Sequence, residues 1–335
     1  MKEINVALLG FGNVGRAFAR YIEQIGESQN VKINIRAIAD SSGALIVQSP
    51  EQLQTLLTYK ESGRSFKEFA PAELLSDMPT AIKAFRLENI SCIVESLPTD
   101  IKDGQPALDL LTQALSQGIN VVTADKGPLV HGFDILKAVA QSGESRFAFT
   151  GTTGVAIPYE IKGDKVLEIR GVLNGTTNYI LTAMQEQDLP FNQALAIAQR
   201  DGIAEPDPAL DVDGWDTACK ILILAKALMN ANAKITDVAR IGIGKETQHL
   251  IENGRATNRI VRLVGRARIW QGRVRVSAAP KLLDKDSPFY GVSGTSKAAV
   301  FRTAERGEVL SFALSGRDAI SQVILEDIFK VMADK

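Results

Sequence analysis

The chain has 335 residues, 45 % of them hydrophobic and 23 % charged, with a formal net charge of −1. That balance belongs to a globular protein of about two to three domains able to bury a substantial core, and without a basic surplus nothing points to nucleic acid or an anionic membrane as partner. Cys92, Cys219, His131 and His249 are the only cysteines and histidines and form no metal-type or redox-type spacing; no apolar run reaches the roughly 18 residues of a membrane-spanning helix.

The chain enters a strand pattern at once, Ile4–Leu9, with no signal-peptide pattern before it. A cytoplasmic protein is expected. The strand runs into Gly10-Phe11-Gly12-Asn13-Val14-Gly15, and Val14, Phe18, Ile22 and Ile25 then recur at helical spacing. A G-x-G-x-x-G is weak alone; between a strand and a helix it predicts a dinucleotide site. Gly10 permits the tight turn, Gly12 lets the backbone approach a pyrophosphate, and Gly15 allows close packing of helix and strand. The helix N-terminus presents free N–H groups and a positive dipole end to phosphates. The competing reading is a glycine-rich turn that binds nothing.

A second strand, Lys32–Ala39, ends in Asp40-Ser41-Ser42, with Asp40 25 residues after Gly15. That is near the place of an acid that accepts hydrogen bonds from the adenosine ribose, and a carboxylate there repels a 2′-phosphate, favouring NAD over NADP. Ser41 and Ser42 still offer hydroxyls to a 2′-phosphate, and a turn-forming or capping aspartate is the plainer reading. Residues 44–90 suggest a helix after Pro50 and a short one at Pro71–Leu75, with no chemistry. Strand Ser91–Val94 leads through Glu95 to Ser96-Leu97-Pro98, and strand Ile119–Thr123 leads to Ala124-Asp125-Lys126. In a doubly wound sheet, ligands sit at such carboxyl ends, so Ser96, Leu97, Pro98, Thr123 and Lys126 are expected beside a cofactor. For Lys126 the alternative is a surface loop lysine. Helices Pro106–Ser116 and Phe133–Gln141 and strand Arg146–Thr150 complete the alternation.

Beyond Thr150 the pattern changes. Strand Val166–Leu173 ends in Asn174-Gly175-Thr176, where an asparagine or threonine is suited to cap the next helix. Helices at 176–187 and 191–201 precede an acidic stretch, Glu205 to Asp216, with five carboxylates in twelve residues and prolines at 206 and 208 that hold its start extended. A long helix then runs to about Asn230. Asp216 and Lys220, four apart, share one helix face; an ordinary solvated ion pair is the bland alternative. Arg259–Ile269, Arg273–Ala278, Ala298–Arg302 and Val309–Leu314 read as strands of a mixed sheet, and Ala319–Met332 as a closing helix. The expected fold is α/β: a Rossmann domain at 1–150, an α+β substrate and dimerisation domain at 151–316, and a closing helix at 317–335 that packs back on the first domain.

Four stretches together resemble the homoserine dehydrogenases: Gly10–Gly15, Thr123-Ala124-Asp125-Lys126, Gly171-Val172-Leu173-Asn174-Gly175-Thr176-Thr177-Asn178-Tyr179-Ile180, and Ala204-Glu205-Pro206-Asp207-Pro208…Asp211…Gly214…Asp216…Lys220. The resemblance covers nearly the whole chain. It implies interconversion of L-homoserine and L-aspartate 4-semialdehyde with NAD or NADP, in threonine and methionine biosynthesis, by a homodimer. It gives Lys220 the proton-transfer role with Asp216 as its partner, places Lys126 near the reacting hydroxyl, and makes Glu205, Asp211 and Thr176 substrate binders. Gly316 matches, loosely, a backbone approach to the cofactor. The family's glutamate near a bound monovalent cation is replaced at Thr150, and Thr153 and Val155 also differ, so no metal ligand is assigned. The chain as given has no appended regulatory or kinase domain, so feedback by such a module is not expected.

The chemistry asks for a group to move the hydroxyl proton, a positive charge for the substrate carboxylate and negative charge for its ammonium. A lysine at its ordinary pKa near ~10.4 is a poor base at neutral pH, so an ammonium that donates to the aldehyde oxygen, oriented by Asp216, fits better. Glu205 is the first candidate for the substrate ammonium. Two other readings stay open: a related dehydrogenase of another amino acid or semialdehyde, and a Rossmann protein that binds NAD without catalysis.

Overall fold

The computed structural model describes residues 2–28, 30–69, 75, 77–313 and 318–333. The chain divides into two compact units, Met1–Thr152 with Gly316–Lys335, and Thr153–Ser315. The architecture is α/β, with a mainly parallel sheet in the first unit and a mixed sheet in the second.

In the first unit the described strands are β1 (Lys2–Leu9), β2 (Glu27–Ser28), β3 (Val31–Asp40), β4 (Gly43–Ile46), β5 (Cys92–Glu95), β6 (Asn120–Thr123) and β7 (Phe147–Ala148). Their order is β2-β3-β1-β5-β6-β7, with β4 on β3. β3, β1, β5, β6 and β7 run parallel, whereas β2 and β4 are antiparallel to β3. The apolar run of β1 is buried from Val6 to Leu9, as a strand covered on both faces requires. Because β3 and β5 lie on opposite sides of β1, the chain reverses its direction of winding there, and the carboxyl end of β1 is the switch point at which such sheets take ligands. Helix Asn13–Ile25 leaves that point with Phe18, Ala19 and Ile22 buried against the sheet. The helix Ala319–Met332 packs on β5, β6 and β7 of the same unit, burying Ile324, Leu325, Ile328 and Val331.

The sequence pattern misses β4 and helix Met78–Leu87. β4 is four residues of a hairpin return whose partner β3 lies a two-residue turn away, too short to show a period. The Pro71–Leu75 helix falls almost wholly outside the described residues; Leu75 itself makes an isolated bridge with Ala44.

The second unit holds β8 (Val166–Val172), β9 (Ala239–Arg240), β10 (Ile260–Trp270), β11 (Arg273–Leu283), β12 (Ala298–Thr303) and β13 (Gly307–Phe312), in the order β13-β12-β8-β10-β11-β9. All neighbours are antiparallel except β11 with the two-residue β9. Gln271 (φ 49°) and Gly272 (φ 74°) make the β10–β11 turn, the pair of left-handed residues that a tight hairpin needs. Helix Trp215–Met229 lies on β8, β10 and β11. Its close approach is set at Gly265, where an added Cβ would stand 3.1 Å from Ile221 Cβ and 3.2 Å from Thr217 Cγ2. Helix Thr247–Ala256 was not read from the sequence; its Gly254 and scattered polar residues dilute the apolar stripe. The acidic stretch is not extended throughout: Pro208 (φ −89°, ψ 6°) opens a helical turn, Ala209–Val212. The ring of Pro208 fixes φ at a value a helix start also accepts.

Candidate active site

Each unit carries one group of residues suited to the chemistry. In the first unit Gly10 sits at φ +98°, with a hypothetical Cβ 2.5 Å from the Ser96 carbonyl oxygen. A Cβ on Gly15 would lie 2.1 Å from the Gly10 carbonyl oxygen. Both glycines are demanded by the chain's own backbone. Gly12 differs: a Cβ there meets nothing within 4 Å, and no side chain caps the helix that begins at Asn13. The free N–H groups and the bare Gly12 backbone fit the close approach of a pyrophosphate.

The other residues expected beside the cofactor divide by side chain. Phe11 is core, stacked at a tilt on Phe66 with ring centroids 5.9 Å apart, and Val14 packs on the same cluster. Asn13 accepts from Arg16 Nη2 at 3.1 Å. Phe11, with its side chain in the core, therefore offers its backbone to a ligand. Ser96 Oγ donates to the Gly10 carbonyl at 3.0 Å, tying the β5 loop to the glycine turn, with Leu97 and Pro98 following. Asp40 accepts from Ser42 N at 2.7 Å and from Ser42 Oγ, and pairs with Lys60 Nζ at 2.5 Å; Ser41 is exposed. Asp40 is thus a carboxylate already held by a cation, with Lys60 arriving from helix Pro50–Glu61. Gly316 lies outside the described residues. Lys126 opens helix Gly127–Ser142, its carbonyl accepting from Val130 N at 2.9 Å.

Thr123 is turned inward. Its hydroxyl donates to Glu95 Oε2 at 2.5 Å and accepts from Asp125 N at 3.0 Å, and Glu95 Oε1 accepts from Leu97 N at 2.7 Å. Thr123, expected on the cofactor, instead holds a buried carboxyl, because the strand continues one residue further than its pattern suggests and carries Glu95 into the interior. Burial, and then the nearby Asp125, push the Glu95 carboxyl up to about 8; burial raises Asp125 as well. A carboxyl raised in the fold contributes stability that is complete below the unfolded value near 4.5 and is lost as pH rises through about 8. The Glu95→Gln variant is expected to keep a flatter melting temperature between pH 5 and pH 9, a difference on the order of a few kcal/mol at the alkaline end. Thermal melts across that range check it; parallel pH profiles for the two proteins contradict it.

In the second unit, helix Trp215–Met229 starts after Gly214 in the left-handed region (φ 80°), and Arg240 stacks on Trp215 with its guanidinium 3.7 Å from the ring centre. With Thr217, Ala218, Ile221 and Leu222 buried on the sheet, Asp216 and Lys220 fall on the remaining face. Lys220 Nζ donates to Asp216 Oδ2 at 2.6 Å and to the Leu173 carbonyl at 2.9 Å. The side chains are only 13 % and 11 % exposed, so the pair is not a solvated surface bridge. Asn174 organises the acids: its Nδ2 donates to Asp211 Oδ1 at 2.6 Å and to Asp216 Oδ2 at 2.8 Å, while its Oδ1 caps helix Gly175–Glu186 by accepting from Thr177 N at 2.7 Å. Burial first, and the charge of Asp216 second, raise the Asp211 carboxyl; Asn174 and Thr176 oppose the rise. Thr176 Oγ1 also donates to the Ile203 carbonyl at 3.1 Å.

Glu205 shares no hydrogen bond with this cluster among the described residues. Its side chain is exposed, and its carbonyl accepts from Gln199 Nε2 at 3.2 Å. Two residues belong to the cluster that sequence reasoning did not single out. Gly154 (φ +74°) is placed so that an added Cβ would lie 3.4 Å from Lys220 Nζ and 3.5 Å from Lys297 Cδ. Lys297 is lowered from the ordinary lysine range by burial and then by the charge of Lys220, with Asp216 acting the other way. No motif marks Lys297; the register of β12 brings it in. Among the described residues, no group of three or more histidine, cysteine, aspartate or glutamate side chains is arranged to hold a metal ion.

Residues 156–329 match the family model for homoserine dehydrogenase. Over 341 residues the chain is 32 % identical to a homoserine dehydrogenase of Methanocaldococcus jannaschii, the match covering 98 % of each. The chain belongs to the homoserine dehydrogenase family. It is also 31 % identical to an NAD(+)-dependent homoserine dehydrogenase of Pseudomonas canavaninivorans, over 99 % of this chain and 97 % of that one. A hyperthermophilic archaeal homoserine dehydrogenase in complex with NADPH has the same fold, with a TM-score of 0.79 and 26 % identity over 98 % of this chain and 97 % of that one. No helix among the described residues is long and apolar enough to cross a membrane.

Proposed function

We propose that the protein interconverts L-homoserine and L-aspartate 4-semialdehyde with NAD or NADP, binding the dinucleotide at Gly10–Gly15 and the amino-acid substrate at the Asp211–Asp216–Lys220 cluster. The observation that carries the reading is the inward, nearly closed Lys220–Asp216 pair bridged by Asn174 to Asp211, in a chain aligned along its length with this family. A dinucleotide held at the Gly10–Gly15 turn would supply hydride exchange at the substrate's C4. Lys220 serves the oxygen on that carbon: in reduction its ammonium donates a proton to the aldehyde oxygen, and in oxidation the hydroxyl proton passes to the same nitrogen by the reverse path. Asp216 and the Leu173 carbonyl aim the amine. Asp211 is the acid best placed for the substrate ammonium, with Thr176 beside it; Glu205 serves only from its exposed loop. Lys126 is assigned to the reacting hydroxyl, and Ser96, Leu97 and Pro98 to the wall of the dinucleotide site.

Purified protein with L-homoserine and NAD or NADP, followed at the reduced-nicotinamide absorbance beside a panel of other hydroxy and amino acids, tests the assignment. Turnover confined to homoserine supports it; dinucleotide binding without turnover of any substrate sinks it. Asp40 favours NAD. Asp40→Ala removes the charge that repels a 2′-phosphate and releases Lys60 toward it, so the NADP-to-NAD ratio of kcat/KM is expected to rise on the order of tenfold, the worth of one interaction of ~1.4 kcal/mol. An unchanged ratio means that Asp40 does not reach the ribose. The same reading carries a cytoplasmic homodimer of 36.2 kDa chains, whose mass light scattering would measure.

A further inference from the structure

The substrate of the proposed reaction bears a carboxylate, an ammonium and a terminal hydroxyl or aldehyde, and the roles assigned above leave the carboxylate without a partner. Lys220 is not free to serve it: two of its three N–H donors go to Asp216 Oδ2 and the Leu173 carbonyl, and the third is assigned to the reacting oxygen. Asp211 and Asp216 carry the wrong sign. Among the described residues, Lys297 is the other cation of the cluster. Its side chain is partly buried, yet among the described residues its ammonium makes no hydrogen bond and no ion pair. A cation withdrawn from water without a counter-ion is costly, and the burial and the neighbouring Lys220 that lower its pKa are that cost expressed on the titration scale.

The placement of Lys297 comes from backbone geometry. β12 pairs with β8 antiparallel, Ala298 opposite Val172, so the next step along both strands sets Lys297 across from Leu173, the residue whose carbonyl anchors Lys220. Ala313 N donates to the Lys297 carbonyl at 3.1 Å and holds that register on the other edge. Between the two lysines stands Gly154, in a left-handed conformation that disfavours side chains. A Cβ there would lie 3.3 Å from the Leu173 carbonyl oxygen and would crowd the space between Lys220 Nζ and the Lys297 stem. Two lysines beside a residue with no side chain, one paired and one not, suit a small amino acid whose reacting oxygen faces the first and whose carboxylate faces the second.

We propose that Lys297 is the receptor for the substrate's α-carboxylate and so selects amino-acid alcohols over plain amino alcohols. The inference rests on the functional reading above. Its test compares L-homoserine with 3-aminopropan-1-ol, the same molecule without the carboxylate, in the wild type, Lys297→Met and Lys297→Arg. A charge-assisted contact of this kind corresponds to roughly a 10- to 100-fold change. Lys297→Met is therefore expected to raise the KM for L-homoserine by about that factor. Its kcat should stay within a few-fold and its dinucleotide KM unchanged. The homoserine-to-aminopropanol ratio of kcat/KM should fall by the same factor, and Lys297→Arg should restore most of the loss. Should the methionine variant melt early, Lys297→Gln carries the same comparison.

Equal loss of kcat with both substrates would overturn the proposal and move Lys297 to the reacting oxygen. A raised dinucleotide KM with normal homoserine KM would overturn it in favour of a cofactor contact, and unchanged kinetics would overturn it outright. Wild-type protein that does not oxidise homoserine at all would instead sink the functional reading.

Discussion

Lys220→Met is expected to lower kcat for homoserine oxidation by ~10²- to 10⁴-fold, the range of a lost proton-transfer group, while the dinucleotide dissociation constant stays within about twofold of wild type. The methionine keeps most of the lysine stem, so the change removes the amine at Asp216 and Leu173 with little disturbance to helix Trp215–Met229 packed on β8, β10 and β11. Asp216→Ala removes the group that aims the amine. It too should take away most turnover, and Asp216→Asn, which keeps an acceptor for Lys220 but not the charge, should fall between. Because Asn174 still donates to Asp211 in each variant, the acid side of the cluster remains partly assembled, and melting curves separate loss of chemistry from loss of fold. Nearly normal turnover in both Lys220→Met and Asp216→Ala would remove the pair from the mechanism.

Gly12→Val is expected to weaken dinucleotide binding by more than ~100-fold, the loss of a pyrophosphate seat on a helix N-terminus, at an unchanged melting temperature. The asymmetry among the three glycines makes this a sharp test. A Cβ on Gly12 would meet nothing within 4 Å, whereas a Cβ on Gly15 would overlap the Gly10 carbonyl oxygen at 2.1 Å. Gly15→Ala should therefore lower the melting temperature, an overpacking cost of about 1–3 kcal/mol, and affect binding only in proportion. Titration of reduced-nicotinamide fluorescence, beside thermal melts, reads both quantities. A Gly12→Val protein that binds NADH normally would show that the turn is a purely structural corner.

The fold class was legible because its signals are local. A continuous apolar strand, a glycine turn and a helix-spaced stripe follow one another within Ile4–Ile25, and alternation at that scale leaves few topologies open. The Asp216–Lys220 pair was legible for the same reason: four residues on a helix is a distance that the sequence itself measures. Where the signal spans only two to four residues, as at β9 and β4, or where a helix mixes polar and apolar residues, as at Thr247–Ala256, the pattern falls below what periodicity can resolve.

The sequence by itself thus determined the two sheets' classes, the glycine turn, and the face shared by Asp216 and Lys220. Only the tertiary structure decided which of the five acids between Glu205 and Asp216 turn inward. Asn174, 37 residues before Asp211, gathers Asp211 and Asp216, while Glu205 stays exposed. It also decided that Thr123 serves Glu95, that Lys60 occupies Asp40, and that Lys297 stands across from Leu173. Each of these depends on strand register or on helix docking between segments far apart in the chain. A charge has the same letter in the sequence whether water or another charge surrounds it, and burial, which sets its partner and its pKa, exists only after the sheets have closed.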